Sequence, residues 1–153
     1  VARGAVAGLA VAILAFAGHA TPGHGQPRRE PQQIVGRADV IDGDTFRIGR
    51  QSIRIWGIDA PDDDRKAFGT RALRQILRAP ILTCRPLGRS YQRIVARCVD
   101  ERGRDIAWQM VETGWALDWP RFSRGYYRPA EARAKARRAG VFGTDQPLWR
   151  DLD

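Results

Sequence analysis

The sequence predicts an α+β fold, a five-stranded OB-like barrel with three helices packed on one end. Two positive patterns carry this reading: short apolar and polar alternations bounded by Gly, Pro and Asp, and three stretches in which the apolar spacing changes to a helical period. A negative one supports it, since strands and helices do not alternate in the way that builds a Rossmann layout. The 153 residues accommodate one ordinary domain and an appendage, not two catalytic domains.

Taken in order, the first residues have the layout of an export signal. Arg3 is followed by an uncharged stretch from Gly4 to Gly18 and then by small residues, with cleavage expected after Ala20. The run is short for a membrane span; an uncleaved N-terminal anchor is the alternative, and would leave the protein associated with a membrane. Residues 21–33 are rich in Pro, Gly, Gln and Arg and read as a linker. The folded domain is expected over 34–153, with the strands 34–41, 44–49 and 53–58 in a meander turned at Asp42-Gly43 and at GRQS. Pro61 stops the third strand. A first helix follows over about 68–78, with Ala67, Phe68, Ala72, Leu73, Ile76 and Leu77 as its apolar stripe. Strands 81–84 and 93–100 come next, separated by residues 86–91. The second helix spans 105–114, with Ile106, Met110 and Val111 inward and Gly114 as its stop. An aromatic-rich irregular segment leads to the third helix, 129–140, with Ala132, Ala136 and Ala139 expected to face the core.

The formal net charge is +9, and 24 of the 26 basic residues are arginine. Guanidinium groups match phosphate oxygens with paired donors, so a polyanionic partner is favoured, although an arginine-rich composition is the plain alternative. Cys84 and Cys98 flank a turn-like segment; in an exported chain they would close a disulfide across a hairpin, with two buried thiols as the other reading. Histidine is absent after His24, so imidazole chemistry is excluded from the fold, and no GxxxxGK[ST], HExxH or GxSxG motif occurs. Chemistry therefore falls to acidic and basic side chains. Asp42 and Asp44 frame a DGD turn, where Asp42 reads first as a turn cap, and Asp59 and Asp62 end a strand in GIDAPD. Arg54, among Ile53, Ile55 and Trp56, is unusual in a central strand unless it meets an anion. Ideal pairing places Asp44 on the face opposite Arg54, so a bulge or curvature is needed to unite them.

IDGDTF, RIWGIDAPD, YQR, ETGWALDW and YYRPAEARAKARRAG together resemble the staphylococcal nuclease (thermonuclease) family, over about residues 34–143. The resemblance implies the five-stranded OB barrel with three helices and an exported hydrolase, a monomer that cleaves DNA and RNA with Ca²⁺ and little sequence specificity. It implies Asp44, Asp59 and the carbonyl of Ala60 as metal ligands, with Asp42 and Thr45 nearby. Arg54 and Arg93 fall on the arginines that bind the scissile phosphate, and Tyr91 on a substrate-binding tyrosine. Asp62 stands where the family has glutamate to orient the attacking water, one methylene shorter, with Asp63 or Asp64 as substitutes or as a solvated acidic turn. The competing functions are a catalytically weak or silent nucleic-acid-binding OB-fold module and an exported structural or protein-interaction domain.

Overall fold

The computed structural model describes residues 32–149; the expected export segment and most of the linker lie outside these residues. The strands are β1 (Ile34–Gly36), β2 (Asp39–Asp42), β3 (Thr45–Ile48), β4 (Gln51–Ile55) and β5 (Ile58–Asp59), followed by helix α1 (Lys66–Ile76). Then come β6 (Leu82–Ser90), β7 (Arg93–Val99), α2 (Ile106–Glu112), β8 (Leu117–Asp118), α3 (Pro120–Ser123), α4 (Arg128–Ala136) and a 3-10 turn, Gly140–Gly143. Among the described residues no helix is long and apolar enough to cross a membrane.

The expected five-stranded barrel is not what forms. Six strands make one sheet in the order β1-β6-β7-β4-β3-β2, and β5 pairs with β8 in a separate two-stranded sheet. All pairs are antiparallel except β4 with β7. The expected strand 34–41 breaks at Arg37 and Ala38, and its halves go to opposite edges of the sheet. The sheet therefore curls strongly, and Gly36 packs so tightly on Ile48 that a Cβ there would lie 2.6 Å from Ile48 Cγ2. No ladder joins β1 to β2, so the edges approach without closing into a barrel. Four helices replace the expected three, since Pro120 starts an extra turn in the aromatic segment at the position where its missing N–H costs nothing.

The sheet and helices enclose one core, in which Phe46, Ile53, Ile55, Leu73, Leu82, Met110 and Val111 are fully buried or nearly so. Ile106, Met110 and Val111 point inward as the helical spacing predicts, and Asp105 caps α2 by accepting the Trp108 N–H at 3.2 Å. Two stripes are displaced from the expected ones. On α1 the expected Ala72, Leu73 and Leu77 are in the core with Ile76 packed against it, but Ala67 and Phe68 are exposed while Gly69 and Thr70 are buried; Phe68 instead stacks on Trp115, 4.9 Å between ring centres. On α4, Ala132 and Ala136 are exposed and the inward face is Ala130, Glu131 and Ala134. Glu131 is drawn inside because its carboxylate accepts the Asp118 N–H at 2.9 Å and pairs with Lys135 at 2.6 Å.

β6 continues through Pro86, which sits at a register shift between Pro86 and Gly88, one of the few places a strand tolerates proline. Cys84 and Cys98 are directly opposite across β6 and β7 and form a buried disulfide. Replacing both cysteines by alanine should cost about 3 kcal/mol, the scale for a crosslink closing a loop of this size, and urea unfolding with and without reductant measures it. A second constraint joins the helical ends. Gly114 stops α2 with φ 71°, and a Cβ there would lie 2.1 Å from the Ala139 carbonyl oxygen. Gly114→Ala should therefore destabilise by about 2–4 kcal/mol, combining a left-handed backbone with overpacking, as read from the shift of the urea midpoint.

Candidate functional site: an arginine bridged by two carboxylates

A cleft of about 480 Å³ opens where the DGD turn, the ends of β4 and β5, the β6–β7 hairpin and α3 meet. At its floor is Arg54, nine-tenths buried in a central strand. Its Nη1 donates to the Ile55 carbonyl at 2.8 Å, and its Nη2 lies 3.0 Å from Asp44 Oδ2 and 3.5 Å from Asp59 Oδ1. Strand alternation does not separate Asp44 from Arg54, because Asp44 belongs to the turn before β3, and it is Thr45 that pairs with Arg54. A register shift between Val40 and Asp42 gives the turn its freedom.

Asp44 is almost fully buried and well supplied with donors: Thr45 Oγ1 at 3.0 Å, Ala60 N–H at 3.1 Å and Arg54. Burial nevertheless outweighs them and, with Asp42 close by, raises its pKa from 3.8 to about 6. Arg93, on β7, donates to Thr45 Oγ1 at 3.2 Å, and among the described residues it has no carboxylate within ion-pair distance. Arg89 reaches the same cleft from β6. Tyr91 occupies the hairpin turn with φ 54° and is 93% exposed, so its ring stands free at the lip. The far wall is Trp119, whose ring lies 5.9 Å from the Arg54 guanidinium carbon, with Phe122 against it.

The fold thus gathers Asp44, Arg54, Asp59, Ala60, Asp62, Tyr91 and Arg93 around one cleft. Ala60 donates its N–H to Asp44 Oδ2. Asp62 lies exposed at the rim. Asp63 is engaged by Arg65, which donates to both of its carboxylate oxygens and holds it below the usual carboxyl range, so it does not substitute for Asp62. Asp64 is the solvated turn residue, its side chain 87% exposed. Calcium takes six to eight oxygens, whereas here the two carboxylates that face each other are already bridged by a guanidinium. Among the described residues no group of three or more His, Cys, Asp or Glu is placed to hold a metal ion. This donor set does not fit the expected ion.

Sequence reasoning passes over three contributors. Arg89 carries no motif signal of its own, and Trp119, though it closes the segment ETGWALDW, is given no role by it. Trp149, whose indole N–H donates to Asp59 Oδ2 at 3.2 Å, lies 90 positions away in the chain.

No family model matches the chain. It is similar to the succinoglycan biosynthesis protein ExoI of Rhizobium meliloti (strain 1021), with 32% identity over 125 residues, covering 72% of this chain and 65% of that protein. The chain therefore spans less than two thirds of the relative's length. These findings overturn the resemblance to the staphylococcal nuclease family and the calcium-dependent nuclease that it implied: the relative found is a biosynthesis protein, the sheet is open, and no metal cluster is present among the described residues.

Proposed function

We propose that the cleft binds a phosphodiester polyanion, with DNA and RNA strands as the partner class. The observation that carries this reading is the convergence of Arg54, Arg89 and Arg93 in one cleft with an exposed tyrosine at its lip. Arg93 leads, since it spends a hydrogen bond only on a neutral hydroxyl and keeps a full positive charge for a phosphate. Tyr91 offers a ring face on which a base stacks, and such stacking is indifferent to sequence. The net charge of +9 adds long-range attraction that weakens with salt. The disulfide supports placing this activity in an oxidising, exported compartment.

The name of the relative favours a second reading, an acidic saccharide received by the same arginines and aromatic walls. Both ligands are separable in one assay: anisotropy of a labelled single-stranded oligonucleotide, in chelator so that the arginines alone are tested, with acidic oligosaccharide as competitor. Arg93→Ala should weaken oligonucleotide binding about tenfold or more and flatten its salt dependence. Binding of the parent no tighter than that of Arg93→Ala refutes the reading, and displacement by saccharide at lower concentration than by unlabelled oligonucleotide selects the second.

Affinity should also depend on pH in a set direction. The phosphodiester keeps its charge from pH 8 to 5, whereas Asp44 takes up a proton below about 6 and releases Arg54 from half of its pairing. Oligonucleotide binding should therefore tighten as pH falls through 6, and Asp44→Asn should abolish that change. Because the folded Asp44 binds its proton more tightly than the unfolded one, its contribution to stability also rises as pH falls from about 6 toward 4, which urea titrations of parent and Asp44→Asn resolve.

A further inference from the structure

The face of β7 that enters the cleft continues past it. Ala96 and Cys98 turn into the core, so Arg93, Val95 and Arg97 share the other face of the strand. Arg93 and Val95 line the cleft, and Arg97 lies one step beyond. Trp56, which also lines the cleft, is tied to β7 by its N–H, 3.0 Å from the Ala96 carbonyl oxygen. The Arg97 guanidinium carbon lies 5.8 Å from the centre of the Trp56 ring and 4.5 Å from that of Tyr126, which is half-exposed. Directly across the ladder from Arg97 is Arg85, and like charges so placed repel. Arg97 is compensated by Asp105 at 2.8 Å, whereas the exposed Arg85 side chain has no ion-pair or hydrogen-bond partner among the described residues. Arg85, Arg97 and Asp105 together therefore keep a positive charge beside the mouth of the cleft.

We infer that Arg85 and Arg97 form a second phosphate subsite, which receives the continuation of the strand held in the cleft. The inference rests on the nucleic-acid reading above and extends it along β7. Four residues of extended chain separate Arg93 from Arg97, roughly 13 Å, so one nucleotide does not touch both and a strand of several does. A phosphate seated between Arg85 and Arg97 relieves their repulsion, and each guanidinium offers it paired donors. The two arginines have separate parts. Arg97 is oriented in advance, by Asp105 and by the Tyr126 hydroxyl, which accepts from Nη2 at 3.0 Å. Arg85 brings the charge that nothing in its surroundings offsets. Contacts of this kind go to the backbone of the strand, so the subsite adds affinity with length and no sequence preference.

Arg85→Ala is the informative variant, because this side chain is exposed and its removal leaves Arg97 on Asp105 and the Asp105 cap of α2 intact. Anisotropy is read in chelator for labelled oligothymidylates of about four and about twelve nucleotides, within the range of site sizes of single-strand binders. Arg85→Ala should lower affinity for the longer strand about fivefold or more and reduce its salt slope by about one, while affinity for the shorter strand changes less than twofold. Arg71→Ala, an equal loss of charge at an exposed position on α1 outside the cleft, should change neither. Equal losses for both lengths in Arg85→Ala, or a matching loss in Arg71→Ala, mean long-range attraction alone and overturn the inference. An unchanged affinity of Arg85→Ala for the longer strand overturns it as well. If the parent binds neither strand, the proposed function falls and the subsite with it. If instead Arg93→Ala weakens both lengths and Arg85→Ala weakens neither, the cleft stands and the second subsite alone is refuted.

Discussion

A guanidinium buried in a central strand is the constraint to which the rest of the site answers. Removing Arg54 from water is costly unless its donors are met, and they are met by one backbone carbonyl and two carboxylates from separate turns. Meeting them dictates where the DGD turn lies against the end of β4, and where β5 leaves the sheet. Burial has its cost as well: for Asp44, the more buried carboxylate, desolvation, with Asp42 close by, outweighs the pairing with Arg54 and raises the pKa. The charge of Arg54 is met inside the pocket, and Arg93, bonded only to a neutral hydroxyl, carries positive charge at the rim.

Behind the cleft, polar contacts place the helices as firmly as apolar ones. Asp118 accepts from Ser123 Oγ and the Tyr127 N–H, and its own N–H is taken by Glu131, so β8, α3 and α4 are fastened to each other through buried carboxylates. This fastening fixes Trp119, and through it the aromatic wall opposite Arg93. On the other side the Cys84–Cys98 crosslink ties β6 to β7 at the root of the hairpin whose tip carries Tyr91. The two walls are held by different means, yet both hold an aromatic ring against a cationic floor.

Much of the site was legible in the sequence because its residues sit at strand ends, where polar side chains break an apolar alternation. Arg54 betrayed itself by interrupting such a run, Asp44 by opening one and Asp59 by ending one. What the alternation could not show was how the strands are distributed. The segment 34–41, with apolar residues at both ends, reads as one strand, while the observed break at Arg37 and Ala38 sends its halves to opposite edges and leaves an open sheet where a barrel was expected. The α4 stripe was misplaced for a related reason: periodicity weighs alanines as apolar and glutamate as solvated, and Glu131 is internal because a backbone amide from another element needs it. Trp149 was invisible to any local pattern, since only the return of the chain gives it a partner. The resemblance that the motifs suggested carried a catalytic reading that neither the relative nor the donor set upholds.

The parallel pairing of β4 with β7 has a kinetic side. Ile53, Arg54 and Ile55 meet Ile94, Val95 and Ala96 across an intervening helix and hairpin, so this contact requires a long loop to close before it is rewarded. The meander of β2 to β4 and the β6–β7 hairpin are local and need no such closure. Arg54 belongs to the first unit and Arg93 to the second, so neither half of the chain contains the cleft. The cleft is thus complete only once the two units have docked, so an assay of refolding that follows Arg54 and Arg93 coming together reports on that docking, not on the formation of either unit.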